Sequence, residues 1–268
     1  WRLVRQNLER FNLNYFRPLG NPAKFIHALL KHFSRCKDEN ITPEQYLEHV
    51  ENEKLNKDQA DGTPEELARL EEVAYAYYVY QQLLHETGAL DFGDLINFTL
   101  RLFIERPHLL RRYQERFKYI LVDEFQDTNF AQYQLVKMLA GTRQNLTVVG
   151  DDDQSIYKFR GASISNIMTF KKDFPESAQV VLTQNYRSRQ NILDVAYRFI
   201  QLNNPERLEA KLSITKRLLS AKPEAGEIEH LHGQTAYDET WLVVEKILAL
   251  KQKNSEVSWS DFAILVRA

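Results

Sequence analysis

The sequence predicts an α/β protein: a core of parallel sheet and helices, preceded by a segment that is almost entirely helical. Three observations predict it. Residues 1–90 carry helical periodicity and capping signals without a strand pattern. After Gly88, helix signals alternate with short runs rich in Val, Ile and Leu, the pattern of buried parallel strands joined by helices. Three of those runs end in polar clusters, where open parallel sheets place their ligands.

The N-terminal stretch WRLVRQNLERF is polar and helical in pattern. Asn21-Pro22 reads as an N-cap followed by proline at the first helical position. Phe25, Ile26, Leu29, Leu30 and Phe33 then recur on one face. Thr42-Pro43-Glu44-Gln45 and Thr63-Pro64-Glu65-Glu66 fit capping boxes, in which the hydroxyl accepts an N–H three residues on and that residue's side chain reaches back. The second box opens a long helix striped by Leu67, Leu70, Ala74, Tyr77, Gln81 and Leu84 and stopped by Gly88. Its tyrosines (Tyr75, Tyr77, Tyr78, Tyr80) suit packing between helices, with hydroxyls at the rim. Residues 51–62, ENEKLNKDQADG, are charged and poor in apolar side chains, which predicts a loop or disordered tip.

In the second part the expected strands are Tyr119–Val122, Leu146–Val149, Gln179–Leu182, Glu227–Leu231 and Phe262–Val266. The expected helices are Asn129–Ala140 (closed by Gly141), Ser163–Phe170, Ser188–Leu202 and Tyr237–Lys253.

Composition narrows the function classes. With 43% hydrophobic residues among 268, the chain can bury a real core. No apolar run approaches the roughly 18 residues of a membrane span, and the polar N-terminus does not read as a signal peptide. The single cysteine, Cys36, forms no internal disulfide and has no metal-ligand spacing around it. A cytoplasmic location is the simplest expectation. A net charge of −2 excludes a uniformly basic nucleic-acid coat, so any such surface is a local patch. Arg106, Arg111, Arg112, Arg116 and Lys118 offer one, with a solvated helix face as the plain alternative. Because the chain starts at Trp1 rather than Met and stops after an apolar run, it is expected to be a piece of a longer protein.

The chemistry lies at three strand ends. In YILVDEFQDTN, residues 119–129, four apolar residues deliver Asp123 and Glu124 to the end of a strand. Such a pair can divide labour, one carboxylate holding Mg²⁺ and the other orienting and deprotonating a water. Asp127 or Asn129 can also serve simply as the cap of the next helix. In VVGDDDQSIYKFRGA, residues 148–162, Gly150 allows a turn and three aspartates lead to Gln154, a residue type able to order a water or sense a phosphate. Tyr157, Phe159 and Arg160 then alternate ring and cation, as a base-stacking platform needs; a solvated acidic turn followed by core aromatics is the alternative. In VVLTQNYRS, residues 180–188, Tyr186 and Arg187 precede a helix, and an arginine there can stabilise charge on a transferring phosphate or pair with a surface carboxylate.

In this order and spacing the motifs resemble superfamily 1 DNA helicases of the UvrD/Rep/PcrA type. The resemblance runs strongly from about Leu90 to Asn203 and more loosely to the end. DEFQDTN resembles that family's Walker B motif, GDDDQSIYKFRGA its third helicase motif and LTQNYRS its fourth. LDFGDL, residues 90–95, is similar to the return from the helical insertion into the first RecA-like domain, and ILVRA to a later strand of the second. The resemblance implies incomplete RecA-like, P-loop NTPase-type parallel sheets and an N-terminal helical insertion. Residues 1–89 would be the insertion, 90–182 part of the first RecA-like domain and 183–268 part of the second. It implies ATP and Mg²⁺ as cofactors and single-stranded and duplex DNA as partners, with 3′ to 5′ movement. Asp123 would help hold Mg²⁺, and Glu124 would be the general base. Gln154 would link the γ-phosphate and its water to the DNA-facing segment. Tyr157 and Phe159 would lie near single-stranded DNA, and Arg160 would tie that segment to the nucleotide site. Tyr186 would stack on adenine, and Arg187 would act as an arginine finger. Many relatives carry tryptophan where Phe159 stands, and the smaller ring can still stack.

One departure matters. A phosphate cradle needs G-x-x-x-x-G-K-[ST], and none of the nine glycines is followed by lysine. The expectation is weak ATP binding and negligible hydrolysis by this chain alone. A sheet lacking its N-terminal strands would also be open to self-association. Two other classes stay open: a non-catalytic module binding single-stranded DNA or a partner, and a metal-dependent nuclease built on Asp123, Glu124 and Asp151–Asp153.

Overall fold

The computed structural model describes residues 1–55, 63–155 and 164–266. The chain divides into two compact units, Trp1–Gln179 and Val180–Ala268.

The first unit opens with α1 (Arg2–Gln6), α2 (Ile26–Asp38), α3 (Pro43–Leu55) and α4 (Pro64–Glu86). They meet, together with the 3-10 turn Leu8–Phe11, in a core that includes Val4, Phe11, Ile26, Leu29, Phe33, Tyr77 and Leu83. Fully burying side chains of this size stabilises by about 1.5–3 kcal/mol each. Phe33 stacks on Tyr77 and Tyr80 with ring centroids 5.2 and 5.3 Å apart. The Tyr77 hydroxyl donates to the Ile41 carbonyl at 3.1 Å, so this ring packs between helices with its polar tip satisfied, while Tyr75 is exposed.

Both expected capping boxes form, at Thr42 with Gln45 and at Thr63 with Glu66. Gly88 follows α4 with φ +62°, a conformation that costs glycine little and ends the helix. Two expectations need correction. Asn21-Pro22 does not start a helix: residues 22–25 form tight turns, with Lys24 N–H on the Asn21 carbonyl and Ile26 N–H on that of Ala23, and α2 begins at Ile26. Proline's fixed φ suits a turn as well as a first helical position. Glu51–Leu55 is not loop but the end of α3; residues 56–62 lie outside the described residues.

The unit continues through α5 (Phe92–Glu105), α6 (Pro107–Arg116), β1 (Ile120–Val122), α7 (Phe130–Ala140), β2 (Leu146–Val148) and α8 (Ile164–Asp173). Strands β1 and β2 pair in parallel, Ile120 opposite Leu146 and Val122 opposite Val148. A parallel pair needs a crossover, and α7 supplies it, capped by Asn129 and closed at Gly141.

The second unit contains β3 (Gln184–Asn185), α9 (Gln190–Ile200), α10 (Leu208–Leu212), β4 (Leu219–Ser220) and α11 (Ala236–Lys253), with β3 and β4 parallel. Helix α9 starts at Gln190 rather than Ser188, because Ser188 sits in the preceding bend. The two-residue β4 has no sequence signature.

Helix-rich units with small parallel sheets agree with the expected α/β class, an incomplete RecA-like fold with a helical insertion. Individual strands depart from expectation. Gln179–Leu182, Glu227–Leu231 and Phe262–Val266 form no ladder among the described residues. Nor is β1 buried on both faces: Leu121 is 77% exposed. An apolar run becomes a buried strand only where neighbours cover its edges and faces, and these sheets have two strands each.

Candidate active site

Strands β1 and β2 end side by side, and their ladder runs one step further. Val149 N–H donates to the Val122 carbonyl, and Phe125 N–H to that of Val149, both at 2.8 Å. This brings Asp123-Glu124 next to Gly150-Asp151. Phe125, 1% exposed, meets Tyr133 and Phe170 edge-on with centroids 5.5 and 5.8 Å away and anchors the turn.

Glu124 has φ +49°, a left-handed conformation that costs a non-glycine residue about 1 kcal/mol. Its N–H donates to Asp123 Oδ1 at 3.0 Å. The buried Gln126 joins the two strand ends: its Nε2 donates to Glu124 Oε2 at 2.6 Å, and its Oε1 accepts the Asp151 N–H at 2.9 Å. Gln154 Nε2 then donates to Asp151 Oδ2 at 2.8 Å. Glu124, Gln126, Asp151 and Gln154 thus form one hydrogen-bonded line, while Asp123 and Glu124 stay exposed to water. Three of the sequence-predicted residues, Asp123, Glu124 and Gln154, are therefore brought together.

Of the two capping candidates, Asn129 is the cap: its Oδ1 accepts the Gln132 N–H at 2.8 Å. Asp127 does not cap; its Oδ1 is buried without a hydrogen-bond partner among the described residues. Carboxylate oxygens of Asp151, Asp152 and Asp153 lie within 4.8 Å of one another.

In the second unit, Tyr186 is 75% exposed, offering a ring face. Asn185 Oδ1 accepts the N–H groups of Arg187 at 3.0 Å and Ser188 at 2.7 Å, and this side-chain turn presents Tyr186 and Arg187. Tyr157, Phe159 and Arg160 lie outside the described residues.

Sequence reasoning missed four supports. Gln126 is one. Asn166, 3% exposed, donates to the Thr128 carbonyl at 2.9 Å and pins α8 to the DEFQDTN turn. Lys37, on the buried face of α2, is held by Asp91 at 2.6 Å and Asp94 at 2.8 Å. Asp38 accepts from Asn129 Nδ2 at 2.7 Å, and burial pushes its carboxyl up to about 6. A D-x-x-D box opening a helix and a lysine in register with an apolar stripe were legible signals for the Lys37 cluster.

Comparison with known proteins decides the family. The UvrD/REP helicase N-terminal domain matches residues 4–175. The chain belongs to the UvrD/REP helicase family. The UvrD-like helicase C-terminal domain matches residues 180–268. The chain is 40% identical over 240 residues to the ATP-dependent DNA helicase PcrA of Leuconostoc citreum, covering 90% of this chain and 29% of that protein. It is 46% identical over 195 residues to PcrA of Staphylococcus aureus, 73% of this chain and 26% of the relative. The chain thus spans less than a third of the length of these curated relatives.

In this UvrD/REP segment the residues suit a hard cation. The exposed Asp123 carboxylate stands at a strand end, an oxygen donor of the kind Mg²⁺ takes together with water. The residues that would cradle ATP phosphates are absent from the sequence.

Proposed function

We propose that this chain is part of an ATP-dependent DNA helicase motor. The observation that carries the reading is the hydrogen-bonded line from Glu124 through Gln126 and Asp151 to Gln154. Asp123 would hold Mg²⁺, which when bound would supply charge neutralisation at the phosphates, and Glu124 would take the proton from the attacking water. Gln154 would contact the γ-phosphate and the water. Tyr186 would stack on the adenine, and Arg187 would stabilise charge on the transferring phosphoryl group. For Tyr157, Phe159 and Arg160, which lie outside the described residues, the family resemblance supports a role at single-stranded DNA. Residues 1–89 form the helical insertion, 90–182 part of the first RecA-like domain and 183–268 part of the second. The motor moves 3′ to 5′ on single strands and opens duplex DNA, in the cytoplasm. PcrA's description as an ATP-dependent DNA helicase supports this reading.

By itself the chain hydrolyses ATP negligibly, for want of the phosphate cradle. DNA-stimulated ATP turnover of this chain, compared with one extended N-terminally through a phosphate-binding loop, tests it. Glu124→Gln in the extended chain is expected to abolish turnover; equal turnover of the short and extended chains, or retained turnover in Glu124→Gln, would overturn the assignment.

The exposed face of α6, with Arg111, Arg112 and Arg116, favours a second reading as a DNA-binding module. A salt-dependent titration with single-stranded DNA and no nucleotide tests it. Exposed Leu121 on β1 also supports self-association, which sedimentation at two concentrations would reveal.

A further inference from the structure

We propose that Gln126 is a positioning residue for hydrolysis, setting the Glu124 carboxylate against the end of β2. The inference rests on the hydrolytic role proposed for Glu124.

Gln126 is 1% exposed, and its amide spends both ends on the site. Nε2 donates to Glu124 Oε2 at 2.6 Å, and Oε1 accepts the Asp151 N–H at 2.9 Å. A buried amide with both groups partnered resists rotation, because any other orientation strands a buried donor or acceptor. Glu124 has a left-handed backbone and an exposed carboxylate, and among the described residues the Gln126 bond is what fixes where that carboxylate points. The same amide joins it to Asp151, whose carboxylate accepts from Gln154. A displacement at either strand end therefore reaches the other through one side chain.

The other side of the amide is guarded by Gly150. A Cβ there would lie 2.9 Å from Gln126 Oε1 and 3.2 Å from the Gln126 backbone nitrogen. An alanine at 150 must push the amide away, so Gly150 provides an independent way to disturb Gln126 without altering it.

The test is a double-mutant cycle of Gln126→Ala and Gly150→Ala in the N-terminally extended chain, with Glu124→Gln as control. Steady-state ATP hydrolysis is measured with saturating single-stranded DNA, and melting temperature alongside. Each single variant is expected to lower kcat about 10- to 100-fold, as loss of a supporting hydrogen bond commonly does, while KM for ATP changes by less than about threefold. Gly150→Ala is expected to add little in the Gln126→Ala background, where the amide oxygen that lies 2.9 Å from the added Cβ is gone and only the 3.2 Å approach to the residue-126 backbone nitrogen remains. A merely structural role would lower the melting temperature and the active fraction with independent, additive effects. The proposal is overturned if either folded single variant keeps kcat, or if the two losses multiply. Should Glu124→Gln keep its turnover, the hydrolytic assignment fails instead.

Discussion

The Lys37 ammonium and the Asp94 carboxylate meet at 2.8 Å with side chains only 2% and 3% exposed. Asp91 joins from the second side at 2.6 Å, and Gln81 donates to Asp94 at 3.0 Å. Burial alone would raise the Asp91 carboxyl, but the bonds from Lys37, the Asp94 backbone N–H and the Tyr80 hydroxyl hold it below its usual value. The cluster ties α2 to the capping box of α5, whose Asp91 and Asp94 also serve each other's N–H groups.

Lys37→Met is expected to destabilise the fold by about 3–5 kcal/mol, since removing one partner leaves buried carboxylates without their cation. Urea unfolding followed by far-UV circular dichroism measures it. A loss under about 1 kcal/mol would mean that water replaces the ammonium.

Gly93→Ala sets two effects against each other. Alanine gains about 1 kcal/mol of helix propensity over glycine. Its Cβ, however, would stand 2.7 Å from Lys37 Cβ and 2.8 Å from Lys37 Cδ, and overpacking costs about 1–3 kcal/mol. Because both ends of Lys37 are held, the clash wins, and a net loss of about 1–2 kcal/mol is expected in the same unfolding assay.

Asp38 makes stability depend on pH. Its carboxyl is raised to about 6 in the folded chain from an ordinary 3.8, so the folded state binds the proton more tightly. Stability therefore falls as pH rises between these two values. Asp38→Asn keeps an acceptor for Asn129 and removes the charge. It is expected to be more stable than the parent by about 1 kcal/mol at pH 7, half-exposure having reduced the full linkage value. Below pH 4 the two should unfold alike. A constant difference from pH 4 to 7 would contradict the linkage.

Cys36 is 7% exposed, and burial pushes its thiol up to about 11. The thiolate is the reactive form. The folded chain is expected not to react with Ellman's reagent at pH 8, and the denatured chain to release one equivalent for its single cysteine. Rapid native labelling would show that α2 opens.

Much of the site was legible in the residues themselves. Asp123, Glu124 and Gln154 are named by their place after apolar runs, and Asn129, Thr42 and Thr63 by the three-residue geometry of capping. The roles of Asp127 and of three expected strands were not legible. An aspartate before a helix has the chemistry of a cap whether or not its backbone reaches the first turn. An apolar run has strand character whether or not a partner lies beside it.

The sequence by itself determined which side chains can do chemistry and where the capped helices α3, α4 and α7 start, because those signals act over three or four residues. The tertiary structure alone decided what holds them. Gln126 meets Asp151 across 25 residues and Lys37 meets Asp94 across 57. Partners so far apart are chosen by how strands and helices pack, and an unmet buried amide or charge has no local pattern that announces its mate.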